Sequence, residues 1–202
     1  LKLDSANVSA AYVLGQVYRK QGKTAEADRL LREAIRLDPR YAPAYAELAQ
    51  VLMLRSDHPT SYGRLPIDVA RAEAQQLARK AIQLDPNLGD AYAAMGFIYL
   101  QDKRSEPFYR KAAELSPQRA DYHRWLATSL NQRAQYDESI AEYRRAVEID
   151  PLWYINNEHF AGALIFSGQS DEARRVARRF LQLSSDDRAK LLLLRGMANS
   201  EG

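Results

Sequence analysis

The sequence predicts an all-α solenoid built of stacked helix-turn-helix units, and three observations predict it. Composition is the first: nine glycines and eight prolines in 202 residues, with 46% hydrophobic and 27% charged side chains, favour helix throughout. The second is a recurring phrase, Leu37-Asp38-Pro39, Leu84-Asp85-Pro86, Leu115-Ser116-Pro117 and Ile149-Asp150-Pro151, whose spacings of 47, 31 and 34 residues describe a 34-residue period with one insertion and one deletion. Leu3-Asp4-Ser5 and Leu183-Ser184-Ser185 continue the phrase at the same period with serine in place of proline. The third is a second break inside the units, as in Gln21-Gly22-Lys23 and Ser167-Gly168-Gln169, where glycine supplies a left-handed helix end. Proline cannot continue a helix, so each phrase closes a unit and each inner break divides it into two helices.

The units follow in order. The first, residues 8–41, carries Ala11, Leu14, Gly15, Tyr18, Ala27, Leu31, Ala34 and Pro39 at fixed steps. The second, 42–88, repeats those steps with Tyr45, Leu48, Ala49, Leu52, Ala74, Ala78, Ala81 and Pro86, interrupted by a loop at 56–68 containing two prolines and a glycine. The third, 89–119, keeps Tyr92, Met95, Gly96 and Tyr99, then loses three residues, so that Pro107 opens a short second helix. The fourth, 120–153, has His123, Leu126, Ala127, Leu130, Ser139, Tyr143, Ala146 and Pro151. The fifth, 154–187, has Asn157, Phe160, Ala161, Leu164, Ala173, Ala177 and Phe180. Small residues such as Gly15, Ala49 and Gly96 admit close helix approach, and the large ones fill the space between neighbours. A last helix, 187–198, is capped by Asp186 and Asp187 and shields the final unit.

These steps resemble the tetratricopeptide repeat family, with the usual tryptophan of the first signature position replaced. The resemblance implies one right-handed superhelical domain over 1–202, with five repeats and a capping helix. Leu1–Asp4 match the end of a second helix, so the chain reads as a fragment of a longer protein. Between Tyr41 and Ser167 a finer resemblance, to repeat regions of bacterial winged-helix transcription regulators and class III nucleotide cyclases, implies a regulatory or assembly context.

Several chemistries are excluded at this stage. With no cysteine, disulfides, thiolate metal sites and thiol nucleophiles are absent. His58, His123 and His159 are too scattered for metal ligation or a triad, and His123 reads as a packing residue; the chain is expected to be non-catalytic, without cofactor or metal. A net charge of +3 gives no global field for nucleic acid. Arg174, Arg175, Arg178 and Arg179, diluted by Asp171, Glu172, Asp186 and Asp187, read as a solvated face. The longest apolar run, Leu191 to Leu194, is far below the roughly 20 residues of a membrane span. The expected compartment is the cytoplasm, or the periplasm if a span lies upstream.

The family resemblance implies a binding groove on the inner face of the first helices. Its second, fifth, ninth, twelfth and thirteenth positions select Tyr12, Gln16, Arg19, Lys20, Gln50, Met53, Asp90, Phe97, Leu100, Asp121, Arg124, Thr128, Asn131, Glu158, Ile165 and Phe166, with Trp125 and His159 at the rim. Phe97, Leu100 and Phe166 are equally readable as core. The mixture of aromatics, amides and both charge signs suits an extended peptide or helix of a partner protein. Chaperone-binding members hold lysine and asparagine where this chain has Tyr12 and Gln16, so a terminal-carboxylate clamp is not expected. Two competing readings are a small-ligand sensor closed by the 56–68 loop through Tyr62, and self-association through Leu192 and Leu193.

Overall fold

A computed structural model describes residues 5–56, 64–100 and 102–201 of the chain. It divides into two compact units at the phrase Leu115-Ser116-Pro117, where the sequence reads as one domain. The first unit holds α1 (Ser5–Lys20), α2 (Thr24–Leu37), α3 (Ala42–Leu54), α4 (Ile67–Leu84), α5 (Gly89–Ile98) and α6 (Ser105–Leu115). The second holds α7 (Ala120–Gln132), α8 (Tyr136–Ile149), α9 (Tyr154–Phe166), α10 (Ser170–Leu183) and α11 (Asp187–Glu201). Successive helices pair as antiparallel hairpins, and within each unit every hairpin packs on the next. Residues 57–63 of the long loop, Tyr62 among them, and Leu1–Asp4 lie outside the described residues. The loop is shorter than expected at its far end: Ile67 and Asp68 already belong to α4, and the stems are joined by a bridge between Ser56 and Leu65.

The proline phrases end helices by a common geometry. The N–H of Asp38, Asp85 and Asp150 donates to the carbonyl four residues back at 2.9, 2.9 and 3.0 Å, and the chain then turns out of helix into the proline. The side chains of Asp38 and Asp85 accept the N–H two residues on, each at 2.9 Å, which closes the turn. Ser184 does the same with its hydroxyl for Asp186 at 3.1 Å, taking the place of the aspartate in that phrase.

The following helix is then pinned to the turn by one side chain, six residues beyond the proline. Tyr45 donates to the Pro39 carbonyl at 3.0 Å, Tyr92 to Pro86 at 3.1 Å, His123 Nε2 to Pro117 at 3.1 Å and Asn157 to Pro151 at 3.0 Å. These four occupy the first signature position. They are hydrogen-bond donors to a carbonyl that has left the helix, not packing residues alone, and this corrects the reading of His123. His123 also sets Nδ1 2.6 Å from the Glu142 carboxylate. Both ring nitrogens therefore face acceptors, which favours the imidazolium; the Glu142 bond foremost, with the Pro117 carbonyl, raises the pKa against an opposing desolvation.

Close packing within hairpins follows the small residues. A Cβ on Gly96 would lie 2.5 Å from the ring of Tyr109, which is fully buried against that bare backbone. Leu48, Leu52, Met95 and Ile98 fill the first unit's core, and Tyr143, Phe160 and Leu164 the second's. Leu14 departs from expectation at 42% exposed, although Leu48, Met95, Leu126 and Phe160 at the same register are buried. Among the described residues, no helix lies ahead of α1 to cover it. At the other end Leu193 is buried against Ala177, Phe180 and Tyr154, so α11 caps the second unit. That removes Leu193 from the self-association reading; Leu191 and Leu194 are exposed, and the Leu192 side chain lies outside the described residues.

The inner turns are Schellman motifs. Gly22 and Gly168 sit at φ of 75° and 79°, and Ala134 occupies the same register at 59°. In the Ala134 turn, Gln135 N–H reaches Leu130 O and Ala134 N–H reaches Asn131 O, both at 3.0 Å.

This geometry can be tested at two positions. A left-handed conformation costs a non-glycine residue roughly 1–2 kcal/mol, and glycine's extra chain entropy returns part of that. Ala134→Gly is therefore expected to stabilise by about 0.5–1 kcal/mol in urea unfolding, a sign opposite to the usual effect of adding a glycine. For His123, a raised pKa means stabilisation fully present below the ordinary value of 6.5 and lost as pH rises through the raised one. Borrowing the donor of Asn157, His123→Asn is expected to differ most from the parent in acid, with the gap closing towards alkaline pH.

Candidate peptide-binding surfaces

The predicted groove residues fall into two sets, one in each unit, and the two sets have different fates. In the first unit, α3 reads Ala-Pro-Ala-Tyr-Ala-Glu-Leu-Ala-Gln-Val-Leu-Met-Leu, apolar around its whole circumference except for Glu47 and Gln50. A helix of that kind is buried on all sides. Ala46 and Ala49 on α3 face an equally small-residue α5, with Ala91, Ala93 and Ala94, and the two pack closely.

As a consequence the inner face is filled by its own side chains. Gln50, at 5% exposed, and Met53, at 6%, lie inside rather than on an open groove. Arg19 forms an ion pair with the buried Glu47, and Gln16 donates to the Tyr12 hydroxyl at 2.9 Å while the Tyr12 ring meets Tyr41 edge-on at 5.3 Å. Phe97 packs on the core cluster, as its alternative reading expected. The uniform apolarity of α3 was the signal that these residues would be enclosed.

The second unit is open. Arg124, on α7, lies over the rings of Trp125 at 5.6 Å and Trp153 at 5.2 Å. One turn on, Thr128 donates to the Arg124 carbonyl at 2.9 Å and shares a 3.0 Å hydrogen bond with the Tyr143 hydroxyl. Tyr143 stands edge-on to His159 of α9, centroids 6.0 Å apart. Thr128, Asn131, Tyr143, His159, Gly162 and Phe166 surround an open hollow of about 440 Å³. Phe166 is 71% exposed and rests on Tyr136 at 5.3 Å, so it is a surface aromatic and not core.

The structure thus brings Arg124, Thr128 and Asn131 of α7 to one face with His159 and Phe166 of α9. Trp125 leans on Tyr122 beside them, and Glu158 is half-buried with its carboxyl pKa raised by burial. Trp153, Tyr143 and Gly162 were missed by the sequence reading. Trp153 could have been found, because an aromatic directly follows the Pro151 phrase; Tyr143 belongs to a second helix and reaches the hollow only through packing.

Electrostatically the hollow is held neutral. Burial first, and the charge of Arg124 second, push the His159 pKa down from 6.5 to about 4. Neither the His159 ring nor the Asn131 carboxamide has a hydrogen-bond partner among the described residues. A neutral imidazole and a carboxamide each offer one donor and one acceptor function, the complement of a peptide amide. Among the described residues, no cluster of His, Asp or Glu has metal-holding geometry, and no helix is long and apolar enough to cross a membrane.

Helical hairpins repeated at a period near 34 residues, each packed on the next within its unit, define a helical-repeat protein. Two stretches of the chain match tetratricopeptide-repeat models: residues 15–54 match the family model described as TPR repeat, and residues 103–152 the one described as Tetratricopeptide repeat. A comparison with curated proteins finds no match. Among solved structures, TTC0263 from Thermus thermophilus, a thermophilic TPR protein, is similar at TM-score 0.73 and 16% identity, over 96% of this chain and 98% of that one. Pseudomonas aeruginosa pilF is similar at TM-score 0.68 and 20% identity, over 98% of this chain and 88% of that one. YrrB, described as a TPR protein with an unusual peptide-binding site, is similar at TM-score 0.56 and 15% identity, over 92% and 90% of the two chains.

The depressed His159 pKa carries a sign. A histidine that stays neutral when folded but charges when unfolded withdraws stability as pH falls from 6.5 to about 4. His159→Gln is expected to remove that contribution, so its urea midpoint should fall less steeply than the parent's across this interval.

Proposed function

We propose that this chain is a non-catalytic binding module that holds an extended peptide of a partner protein on the inner face of the second unit. The observation that carries the reading is the pair of unpartnered polar side chains, Asn131 and His159, turned into a hollow beside the exposed ring of Phe166. Asn131 and His159 engage the peptide backbone, and Phe166 with Tyr136 takes an apolar side chain. Arg124, fixed between two indoles, adds an anchor whose ordering cost is met in the free protein. Thr128 and Tyr143 are bonded to each other and act as a rigid wall. The peptide-binding description of the YrrB fold relative agrees with this use of the fold.

The first unit contributes a stable base and not a groove, because Gln16, Arg19 and Gln50 are committed within it. The experiment is a peptide-array selection on the purified chain, followed by titration of a selected peptide. Asn131→Ala combined with Phe166→Ala is expected to weaken binding by about tenfold or more, in the range of interface hot spots, with the fold intact by circular dichroism. Gln16→Ala is expected to leave affinity unchanged. Equal affinity of the folded double variant would remove the hollow from consideration.

A further inference from the structure

Among the arginines of α10, read from sequence as a solvated face, Arg174 differs from Arg175 and Arg179. Arg174 is paired with Asp171 at 3.0 Å, and that carboxyl is held below its ordinary pKa by Arg174 first, with Arg175 and Arg178 adding their charge. Arg175 and Arg179, one helical turn apart, instead line a notch of about 230 Å³ between α8, α9 and α10. Neither has a hydrogen bond or ion pair among the described residues. Like charges four residues apart on a helix repel, so this arrangement is left with electrostatic tension.

The rest of the notch is fixed. Arg144 of α8 is held by Glu172 at 2.6 Å and lies over the Phe160 ring at 5.5 Å. The other carboxylate on the rim, Glu148, meets Arg145 at 3.5 Å. Both rim carboxylates are therefore engaged while two guanidiniums are not. Below them the floor is apolar, made by Val147, Val176 and Phe160. An apolar floor inside an arginine-bearing rim is the anatomy of a protein interface. A nucleic-acid backbone would need a continuous basic track, and here Glu148 and Glu172 interrupt it.

We propose that this notch is a second docking site, for an acidic segment of a partner protein whose carboxylates pair with Arg175 and Arg179 while an apolar side chain between them fills the Val147–Val176 floor. The site lies on the second-helix side of α9, away from the hollow, and does not depend on peptide binding there. Arg's planar fork suits bidentate capture of carboxylate at each of the two positions.

The test is fluorescence anisotropy of the purified chain with a labelled Glu-Glu-Leu-Glu-Glu-Val-Glu-Glu-Leu peptide at low salt. Its glutamine counterpart, citrate as a free carboxylate competitor and an oligo-thymidine strand serve as comparisons. The expected result is saturable, salt-weakened binding of the acidic peptide, reduced about tenfold or more by Arg175→Ala with Arg179→Ala. Arg174→Ala with Arg178→Ala, and Asn131→Ala with Phe166→Ala, should each change it less than about twofold. The glutamine peptide should bind far more weakly, and citrate should compete only at high concentration. Equal binding by the glutamine peptide, equal binding by the folded Arg175/Arg179 variant, or absence of binding would each overturn the proposal. Tighter binding of the oligo-thymidine strand through the same two arginines would overturn it in favour of a nucleic-acid contact.

Discussion

Where a proline ends a helix, its carbonyl leaves the helical ladder and must find a donor, and in this chain the donor is always the side chain six residues further on. Tyr45, Tyr92, His123 and Asn157 all meet that requirement, though they share neither shape nor charge. The contact fixes the exit of each new helix from its turn, and that exit sets which faces of successive hairpins meet. Core packing then follows, because Leu48, Met95, Leu126 and Phe160 can be buried only if the helices bearing them leave the turn at a consistent angle. The turns hold the period, and the core rewards it.

On this common frame, helix composition decides whether the inner face is open. In the first unit, alanines and glycines bring α3 and α5 together until Gln50 and Met53 are sealed and Arg19 closes on Glu47. In the second unit the corresponding helices carry Arg124, Trp125, His159 and Phe166, whose bulk keeps a hollow between them. The same register therefore yields a packed wall in one place and an open hollow in the other. Small residues give rigidity, and large amphipathic ones give recognition.

That contrast explains how far the sequence could be read. Period, helix count and the caps were legible, because proline and glycine act locally and Leu-Asp-Pro repeats at visible spacing. Arg124, Thr128 and Asn131 were legible as one face because helix geometry puts the fifth, ninth and twelfth positions together. Burial of Gln50 was not legible from register, since it depends on how closely α3 and α5 approach; the uniform apolarity of α3 was the unused clue. Tyr143 and the Arg175/Arg179 notch depend on packing between neighbouring helices, which spacing within one helix does not show. Ala134 hid a left-handed turn, because alanine does not announce one as glycine does.

The varied donors at the turns have one more consequence. Tyrosine and asparagine make neutral hydrogen bonds, which dissolved ions leave nearly untouched. His123, facing Glu142 as well as the Pro117 carbonyl, adds a charge-assisted one, so among the four side chains that meet a proline carbonyl it is the one whose contacts respond to ionic strength. Turns that share one geometry are thus electrically uneven: three are pinned by a neutral side chain, and one by a ring that also faces a carboxylate.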